Sequence, residues 1–139
     1  MIDHEVIADC RCGIGEGPLW HRTERRLYWL DIPAGCIYRY DPSKGSHEIV
    51  HEGGVVGGFT IQADGTLLLF MARGAVAVWG DGMRRKTIVE SVPELWDSRF
   101  NDVVTDPVGR VICGTMPTPT RGAMLYRLDL DGSLTCLLS

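Results

Sequence analysis

Short apolar runs alternate with polar turns along the whole chain, and three of these runs resemble one another. They span Leu27 to Asp31, Leu67 to Met71 and Val111 to Thr115. When Tyr28, Leu68 and Ile112 are aligned, successive runs are 40 and 44 residues apart. Each run follows a turn that contains polar residues, Gly or Pro, which is typical of β-hairpins. The pattern therefore predicts repeated antiparallel strands.

Every apolar run is followed by further strand-like segments, so that each repeating unit contains four predicted strands. The third strand is nearly the same in the first and last units, I-Y-R-Y-D against L-Y-R-L-D. Four strands at a period of about 40 to 45 residues are typical of a β-propeller blade. An antiparallel sandwich is the alternative, although its strands need not recur in groups of four. We predict an all-β fold, a β-propeller with three four-stranded blades at about 14–52, 55–91 and 99–139.

Three blades cannot close a ring, because closed propellers use about four to eight. We expect residues 1–139 to form a single partial propeller domain, the N-terminal half of a six-bladed ring. Pairing of two such chains into one ring is the alternative. Half a ring leaves sheet faces and edges uncovered, which predicts self-association through the open blade edges.

Two local features complete the predicted architecture. The segment 91–98 is the best helix candidate, and Pro93 within it predicts a loop with at most one helical turn. The tryptophans are spread along the chain and are predicted to pack between blades rather than to form a recognition patch. They are Trp20, Trp29, Trp79 and Trp96.

Composition limits the partners and the location. The formal net charge is −4, the pI is near 5.5 and the basic residues are scattered, so we expect no nucleic-acid partner. No run approaches the roughly 18 apolar residues of a membrane span, and no apolar secretory signal opens the chain. We therefore expect no membrane partner and a cytoplasmic location. The five cysteines lack a C-x-x-C pair and are predicted to be reduced thiols, most of them packed as small hydrophobic residues.

Candidate site residues lie where the first strand of each blade begins, because these strands line the channel of a propeller. With Leu19, Phe59 and Val103 aligned, Glu16 and Asn101 fall within one residue of the same height in different blades. Their carboxylate and amide oxygens suit Ca²⁺, Mg²⁺ or Mn²⁺ and can accept Zn²⁺. A solvated loop glutamate is the simpler interpretation of Glu16.

Arg99 and Asn101 are two residues apart on an extended segment and should point the same way. A guanidinium group and an amide together suit the hydroxyl and carbonyl oxygens of a small polar ligand. Alternatively, Arg99 could be structural and hold loop carbonyl groups.

The segment from His47 to His51 matches the H-E-x-x-H motif of zinc metalloproteases. That site requires a helix, in which residues four apart share one face. A β-branched centre and flanking glycines predict a strand here, which would hold the two histidines roughly 13 Å apart. We predict an outer strand with two exposed histidines and no protease site.

Four segments carry a more specific pattern. They are C-x-x-G-E-G-P-L-W, L-Y-W-L-D-I-P-A-G-x-I-Y-R-Y-D-P, R-F-N-D-x-x-x-D-P-x-G-R and C-G-T-M. Together they resemble the family of gluconolactonase, regucalcin (senescence marker protein) and luciferin-regenerating enzyme, from about Cys12 to Gly132. The resemblance implies a six-bladed propeller that hydrolyses sugar lactones with one divalent cation, Ca²⁺, Zn²⁺, Mg²⁺ or Mn²⁺, in its central channel.

The same resemblance implies roles for three residues. Glu16 matches the first metal ligand of the family, and Arg99 and Asn101 match residues that bind the sugar lactone. The other metal ligands and the catalytic Asp of the family lie in later blades, so no catalytic residue is expected in this chain. We expect the chain on its own to be inactive and to bind metal weakly. The alternative function is that of a non-enzymatic propeller binding module or a calcium-binding protein.

Overall fold

The computed structural model describes residues 3–139, which form twelve strands in three four-stranded sheets. The first sheet contains β1 (Gly15–His21), β2 (Arg26–Asp31), β3 (Cys36–Asp41) and β4 (Ser46–Glu52). The second contains β5 (Val56–Ile61), β6 (Leu67–Met71), β7 (Val76–Trp79) and β8 (Lys86–Val89). The third contains β9 (Phe100–Thr105), β10 (Val111–Thr115), β11 (Leu125–Leu128) and β12 (Leu134–Leu138).

Each sheet is an antiparallel meander in which neighbouring strands follow one another along the chain. We call the sheets blade 1, blade 2 and blade 3. Strand β5 contacts β1 and β2 on one side and β9 on the other, so the first strands of the three sheets meet. This is the arrangement of propeller blades around a shared axis, with β1, β5 and β9 innermost. The predicted all-β fold with three four-stranded propeller blades is confirmed.

Several hairpin turns are closed by the side chain of an Asp. Its Oδ1 accepts the backbone N–H of the residue two positions later, at 2.9 Å in each case, and also that residue's hydroxyl. The pairs are Asp41 with Ser43, Asp64 with Thr66, and Asp131 with Ser133. The hydrogen bond from the Ser or Thr hydroxyl is the main reason why the pKa of each of these carboxyl groups is lowered. Such local bonds favour turns at these positions over continued strands.

Two apolar clusters join the blades, one on each face of blade 2. The cluster between blades 1 and 2 includes Tyr28, Leu30, Ile37, Val56, Phe59, Leu67 and Leu69. The cluster between blades 2 and 3 includes Leu68, Phe70, Val76, Phe100, Val111, Tyr126 and Leu128. Because β6 contributes side chains to both clusters, all five of its residues are buried. This is why its sequence is an uninterrupted apolar run rather than an alternating one.

A charged network at Arg39 also links blade 1 to blade 2. Arg39 lies on β3 and donates hydrogen bonds to Glu48 on β4 and to Asp81 in the β7–β8 hairpin. Its Nη1 also donates to the hydroxyl of Tyr28, which itself donates to Glu24 at 2.5 Å. Burial, followed by the bond to Glu24, raises the pKa of the Tyr28 hydroxyl. A single guanidinium group therefore connects side chains of two blades.

The outer faces of blades 1 and 3 are not covered by another blade within residues 3–139. Trp20 lies on the outer face of blade 1 and is 46% exposed, and Trp96, in the loop before β9, is 70% exposed. Trp29 also lies on the outer face of blade 1, where it stacks on Tyr38. The prediction that all four tryptophans pack between blades is therefore wrong for these three. On blade 3, Val104 and Leu138 are 63% and 66% exposed.

Two local predictions have different outcomes. Residues Pro93–Leu95 form one short 3-10 helix, which confirms a loop with no more than one turn. The His47–His51 segment lies within strand β4, as predicted, but both histidines are half-buried rather than exposed. His47 lies against the stacked rings of Trp29 and Tyr38, and this aromatic contact removes it from solvent.

Within residues 3–139, no helix has the length and apolar character needed to cross a membrane.

Candidate functional site

Glu16 lies near the start of β1, on the innermost strand of blade 1, and its side chain is exposed. It pairs with Leu30 on β2, and the register then shifts before Leu19 pairs with Tyr28. Gly17 and Pro18 thus form a β-bulge, with Gly17 at a φ of +64° that glycine adopts without strain. The bulge places Glu16 at a break in the hydrogen-bond ladder, where a side chain can be redirected.

Asp31 holds the loop that leads to Glu16. Its carboxylate accepts the backbone N–H groups of Gly13 at 3.1 Å and of Ile14 at 3.3 Å. The residue is only 6% exposed, so these bonds form largely away from water. This role of Asp31 was not predicted, although a lone acidic residue at the end of the apolar β2 run is the signal that could have revealed it.

Arg99 and Asn101 come together at the start of β9. Nη1 of Arg99 donates to Oδ1 of Asn101 at 3.0 Å and to the carbonyl oxygen of Phe100 at 3.0 Å. The backbone of Arg99 bridges to Ala72, and its carbonyl accepts the N–H of Met116. Arg99 is therefore both a structural residue and a partner of Asn101, since it holds a loop carbonyl and also orients the amide. With Oδ1 engaged, the Nδ2 group of Asn101 is a donor for a ligand.

Glycines in β5 allow the first strands to approach closely. A Cβ atom on Gly57 would lie 1.8 Å from the carbonyl oxygen of Phe100 and 3.2 Å from Nη1 of Arg99. A Cβ on Gly58 would lie 3.0 Å from the side chain of Val103. Only a residue without a side chain fits at Gly57, so this glycine sets the distance between β5 and the Arg99 segment. Two consecutive glycines near a strand start do not by themselves indicate this contact, so the function of Gly57 was not predicted.

All three innermost strands contain a register shift near the same end. Gly57 is the extra residue in β5, and Asn101 and Asp102 together oppose Gly114 in blade 3. Glu16 opposes Leu30, which corresponds to Gly114 in the repeat alignment, so Glu16 and Asn101 lie at the same level of their blades. Bulges often occur next to active sites because they redirect side chains. Strand β5 lies between the two strands that carry Glu16 and Asn101.

The donor chemistry at this end of the blades fits part of a site for a divalent cation. Glu16 supplies an exposed carboxylate, a ligand that suits Ca²⁺, Mg²⁺ and Mn²⁺. Within residues 3–139, no three side chains of His, Cys, Asp or Glu form a cluster that could hold a metal ion. Among the described residues, Glu16 is thus a single candidate ligand, and β5 separates its strand from the strand that carries Asn101.

Comparison with known proteins assigns the family. The family model described as "SMP-30/Gluconolactonase/LRE-like region" matches residues 14–139. The chain belongs to the SMP-30/gluconolactonase/LRE-like family. The resemblance predicted from the four sequence segments is thus confirmed, and the matched residues include Glu16, Arg99 and Asn101.

Members of the SMP-30/gluconolactonase/LRE-like family that resemble this chain include named lactonases. Pentonolactonase XacC of Haloferax volcanii is 52% identical over 131 residues, which cover 93% of this chain and 43% of that protein. The 6-deoxy-6-sulfogluconolactonase of Pseudomonas putida is 32% identical over 120 residues, covering 85% of this chain and 41% of that protein. Lactone hydrolysis is therefore the activity named for these relatives.

A solved structure supports the fold assignment. The calcium-binding protein regucalcin of Agrobacterium tumefaciens superposes with a TM-score of 0.83 at 18% identity, covering 96% of this chain and 45% of that one. This likeness shows the propeller fold of the SMP-30/gluconolactonase/LRE-like family. The chain spans about half the length of the relatives it matches. Its three blades correspond to half of a six-bladed ring.

Proposed function

We propose that this chain is part of a sugar-lactone hydrolase that depends on a divalent metal ion. The main support is that Glu16 and the Arg99–Asn101 pair lie at the same level of innermost strands in a family whose named members include lactonases. Because the relative with 52% identity is named a pentonolactonase, five-carbon aldonolactones are the substrates we propose first.

Each residue has a separate role in this proposal. The Glu16 carboxylate binds the cation on one side, and the bonds from Gly13 and Ile14 to Asp31 hold its loop in place. The chemistry that a divalent cation supplies when bound is polarisation of a carbonyl group. Arg99 and Asn101 donate hydrogen bonds to oxygen atoms of the sugar lactone. Their contribution is mainly orientation, because Arg99 fixes the Asn101 amide before the ligand arrives.

Partners and location follow from the same proposal. The partner is a small-molecule sugar lactone, and the cation is Ca²⁺, Zn²⁺, Mg²⁺ or Mn²⁺. We propose a cytoplasmic location, as predicted from the sequence. We also propose that residues 1–139 belong to a single domain. The oxygen donor at Glu16 favours a hard cation such as Ca²⁺, Mg²⁺ or Mn²⁺ over a thiophilic one.

Lactone hydrolysis by the complete gene product that carries this chain is the direct test. Proton release from five- and six-carbon aldonolactones should be measured with Ca²⁺, Mg²⁺, Mn²⁺ and Zn²⁺ in turn. We expect Glu16→Gln to lower kcat/KM by at least about 100-fold. Mutations of residues that only hydrogen-bond to the ligands of a metal already lower metal affinity or activity by up to about 100-fold. Arg99→Lys keeps the charge but loses the planar set of donors, and it should raise KM.

Glu90→Gln is the matched control, because Glu90 is an exposed glutamate just after β8, and its turnover should equal that of the unchanged protein. Unchanged turnover in Glu16→Gln would remove Glu16 from the proposed metal site. If no lactone is hydrolysed but Ca²⁺ binds stoichiometrically in calorimetry, the alternative of a calcium-binding protein is correct.

A further inference from the structure

Two thiol groups lie next to each other just before β1. The sulfur atoms of Cys10 and Cys12 are 3.8 Å apart, and both side chains are half-buried. Of the other cysteines, Cys36 and Cys113 are buried and Cys136 is exposed. The metal and substrate roles proposed above use none of these thiols, so the Cys10–Cys12 pair is a separate chemical feature of the molecule.

Cys12 also contacts the loop that leads to Glu16. A Cβ atom on Gly15 would lie 3.3 Å from the Cβ and 3.7 Å from the sulfur of Cys12, so the two residues pack closely. The next two residues, Gly13 and Ile14, are bonded through their N–H groups to Asp31. Only three residues, Gly13, Ile14 and Gly15, separate Cys12 from Glu16, and each of them is bonded to or paired with Asp31.

Two adjacent thiols can either bind a thiophilic metal or form a disulfide. A structural zinc site needs about four ligands. In the part of the chain that the structure describes, no third side chain joins the pair to complete a metal cluster. A disulfide needs only the two sulfur atoms, which must approach from 3.8 Å to roughly 2 Å. The geometry favours the disulfide.

We propose that Cys10 and Cys12 form a dithiol that closes reversibly into an intrachain disulfide and thereby moves the loop that carries Glu16. The oxidant is a low-molecular-weight disulfide such as oxidised glutathione. One protein thiolate attacks it, forms a mixed disulfide and releases one glutathione thiolate. The second protein thiolate then attacks the mixed disulfide and releases the second glutathione. In total, the protein loses two protons and two electrons, and one oxidised glutathione becomes two reduced ones.

The environment of Cys12 bears on the equilibrium between the dithiol and the disulfide. Burial, and then the neighbouring Cys10 sulfur, raise the pKa of the Cys12 thiol. A disulfide is a strong oxidant when the dithiol that forms on its reduction is stabilised as a thiolate. Cys12 lacks that stabilisation, so the disulfide is not disfavoured relative to the dithiol. The proposal requires neither a bound metal nor a lactone.

Mass spectrometry tests ring closure directly. The chain carrying Cys136→Ser, which removes the exposed thiol, is equilibrated with mixtures of oxidised and reduced glutathione, and free thiols are then alkylated. We expect the peptide with Cys10 and Cys12 to lose two hydrogen atoms and to recover them with dithiothreitol. In Cys10→Ser and Cys12→Ser, the remaining thiol should instead retain a glutathione adduct. A stable adduct on the unchanged pair, or no reaction of the pair, would overturn the proposal.

Hydrogen exchange tests the effect on the loop. We expect the amides of Gly13 and Ile14 to exchange several-fold faster in the oxidised protein, because movement of Cys12 weakens their bonds to Asp31. A peptide from β10 and β11 in blade 3 is the internal control and should not change. Closure of the ring with unchanged exchange at Gly13 and Ile14 would show that the disulfide does not act on the Glu16 loop.

Discussion

Among the glycines, Gly57 has the least room for an added Cβ atom. Its neighbours are the backbone carbonyl of Phe100 and the guanidinium group of Arg99, and the carbonyl cannot move without displacing β9. The positions of the Arg99 side chain and of β9 therefore depend on the absence of a Cβ atom at residue 57. This constraint is local and does not depend on the metal.

We predict that Gly57→Ala destabilises the chain by about 1 to 3 kcal/mol, because the new methyl group overlaps the Phe100 carbonyl and forces the strands apart. Urea denaturation followed by tryptophan fluorescence measures the loss. Gly122→Ala is the matched control, since a Cβ there meets nothing within 4 Å. Equal midpoints for the two variants would show that β5 and β9 separate without cost.

His51 is a second residue with a measurable consequence. Its Nε2 atom is buried and has no hydrogen-bond partner within residues 3–139, and its ring lies edge-on to Trp79 at 5.6 Å. Burial, and then the charge of Arg85, lower the pKa of His51 below its ordinary value. Below about pH 6.5 the unfolded chain therefore takes up a proton that the folded chain resists.

The folded state should thus lose stability as the pH falls from about 7 to about 5, and His51→Gln should reduce that loss. Urea midpoints measured across this range check the prediction. His47→Gln, on the same strand, is the control and should keep the pH dependence of the unchanged chain. If His51→Gln and the unchanged chain lose stability in parallel, His51 is not the titrating group.

Between elements, the link from Arg39 on β3 to Asp81 in the β7–β8 hairpin can be measured by itself. Both groups reach the protein surface, where ion pairs contribute little. A double-mutant cycle with Arg39→Met and Asp81→Asn should give a coupling of about 0.2 to 1 kcal/mol. A cycle of Arg39→Met with Asp131→Asn in blade 3 should give none. Zero coupling in the first cycle would mean that the Arg39–Asp81 ion pair does not help to join blades 1 and 2.

The strands were predictable because their apolar residues recur with the blade period. The bulges were not predictable. One extra residue between two apolar positions leaves the apolar pattern on either side of it unchanged. The aligned positions Leu19, Phe59 and Val103 show the effect. Leu19 pairs with Tyr28, but Thr60 and Val104 pair with Leu68 and Ile112, so that alignment is wrong by one residue in blades 2 and 3.

The site was predictable only in part for a related reason. Glu16, Arg99 and Asn101 are polar residues at strand starts, and their types alone suggest chemistry. The functions of Asp31 and Gly57 depend on contacts with other segments of the chain, and no spacing within their own segments indicates those contacts. The position of Trp20 was mispredicted because the sequence indicates only that its strand belongs to a blade. It does not indicate which face of that blade is covered by another blade.

At the scale of the molecule, the uncovered faces of blades 1 and 3 predict self-association of the 139-residue chain. Sedimentation velocity should show a weight-average mass that rises with concentration. Val104→Lys and Leu138→Lys place a charge on the open face of blade 3 and should reduce association. Val108→Lys is the control, since Val108 is 62% exposed but lies in the β9–β10 turn. A monomer at all concentrations would contradict the prediction.

The register shifts in β1, β5 and β9 divide each blade into two parts that can vary separately. Below the shift, the strand pairs continue to the hairpin without interruption, and above it the pairing is displaced by one residue in every blade, so that Gly15, Val56 and Phe100 are equivalent. A protein engineer who transfers channel-lining residues from a relative should therefore exchange the whole segment from the shift to the strand start. A point substitution placed by counting cross-strand pairs without the extra residue would put the intended side chain one position away.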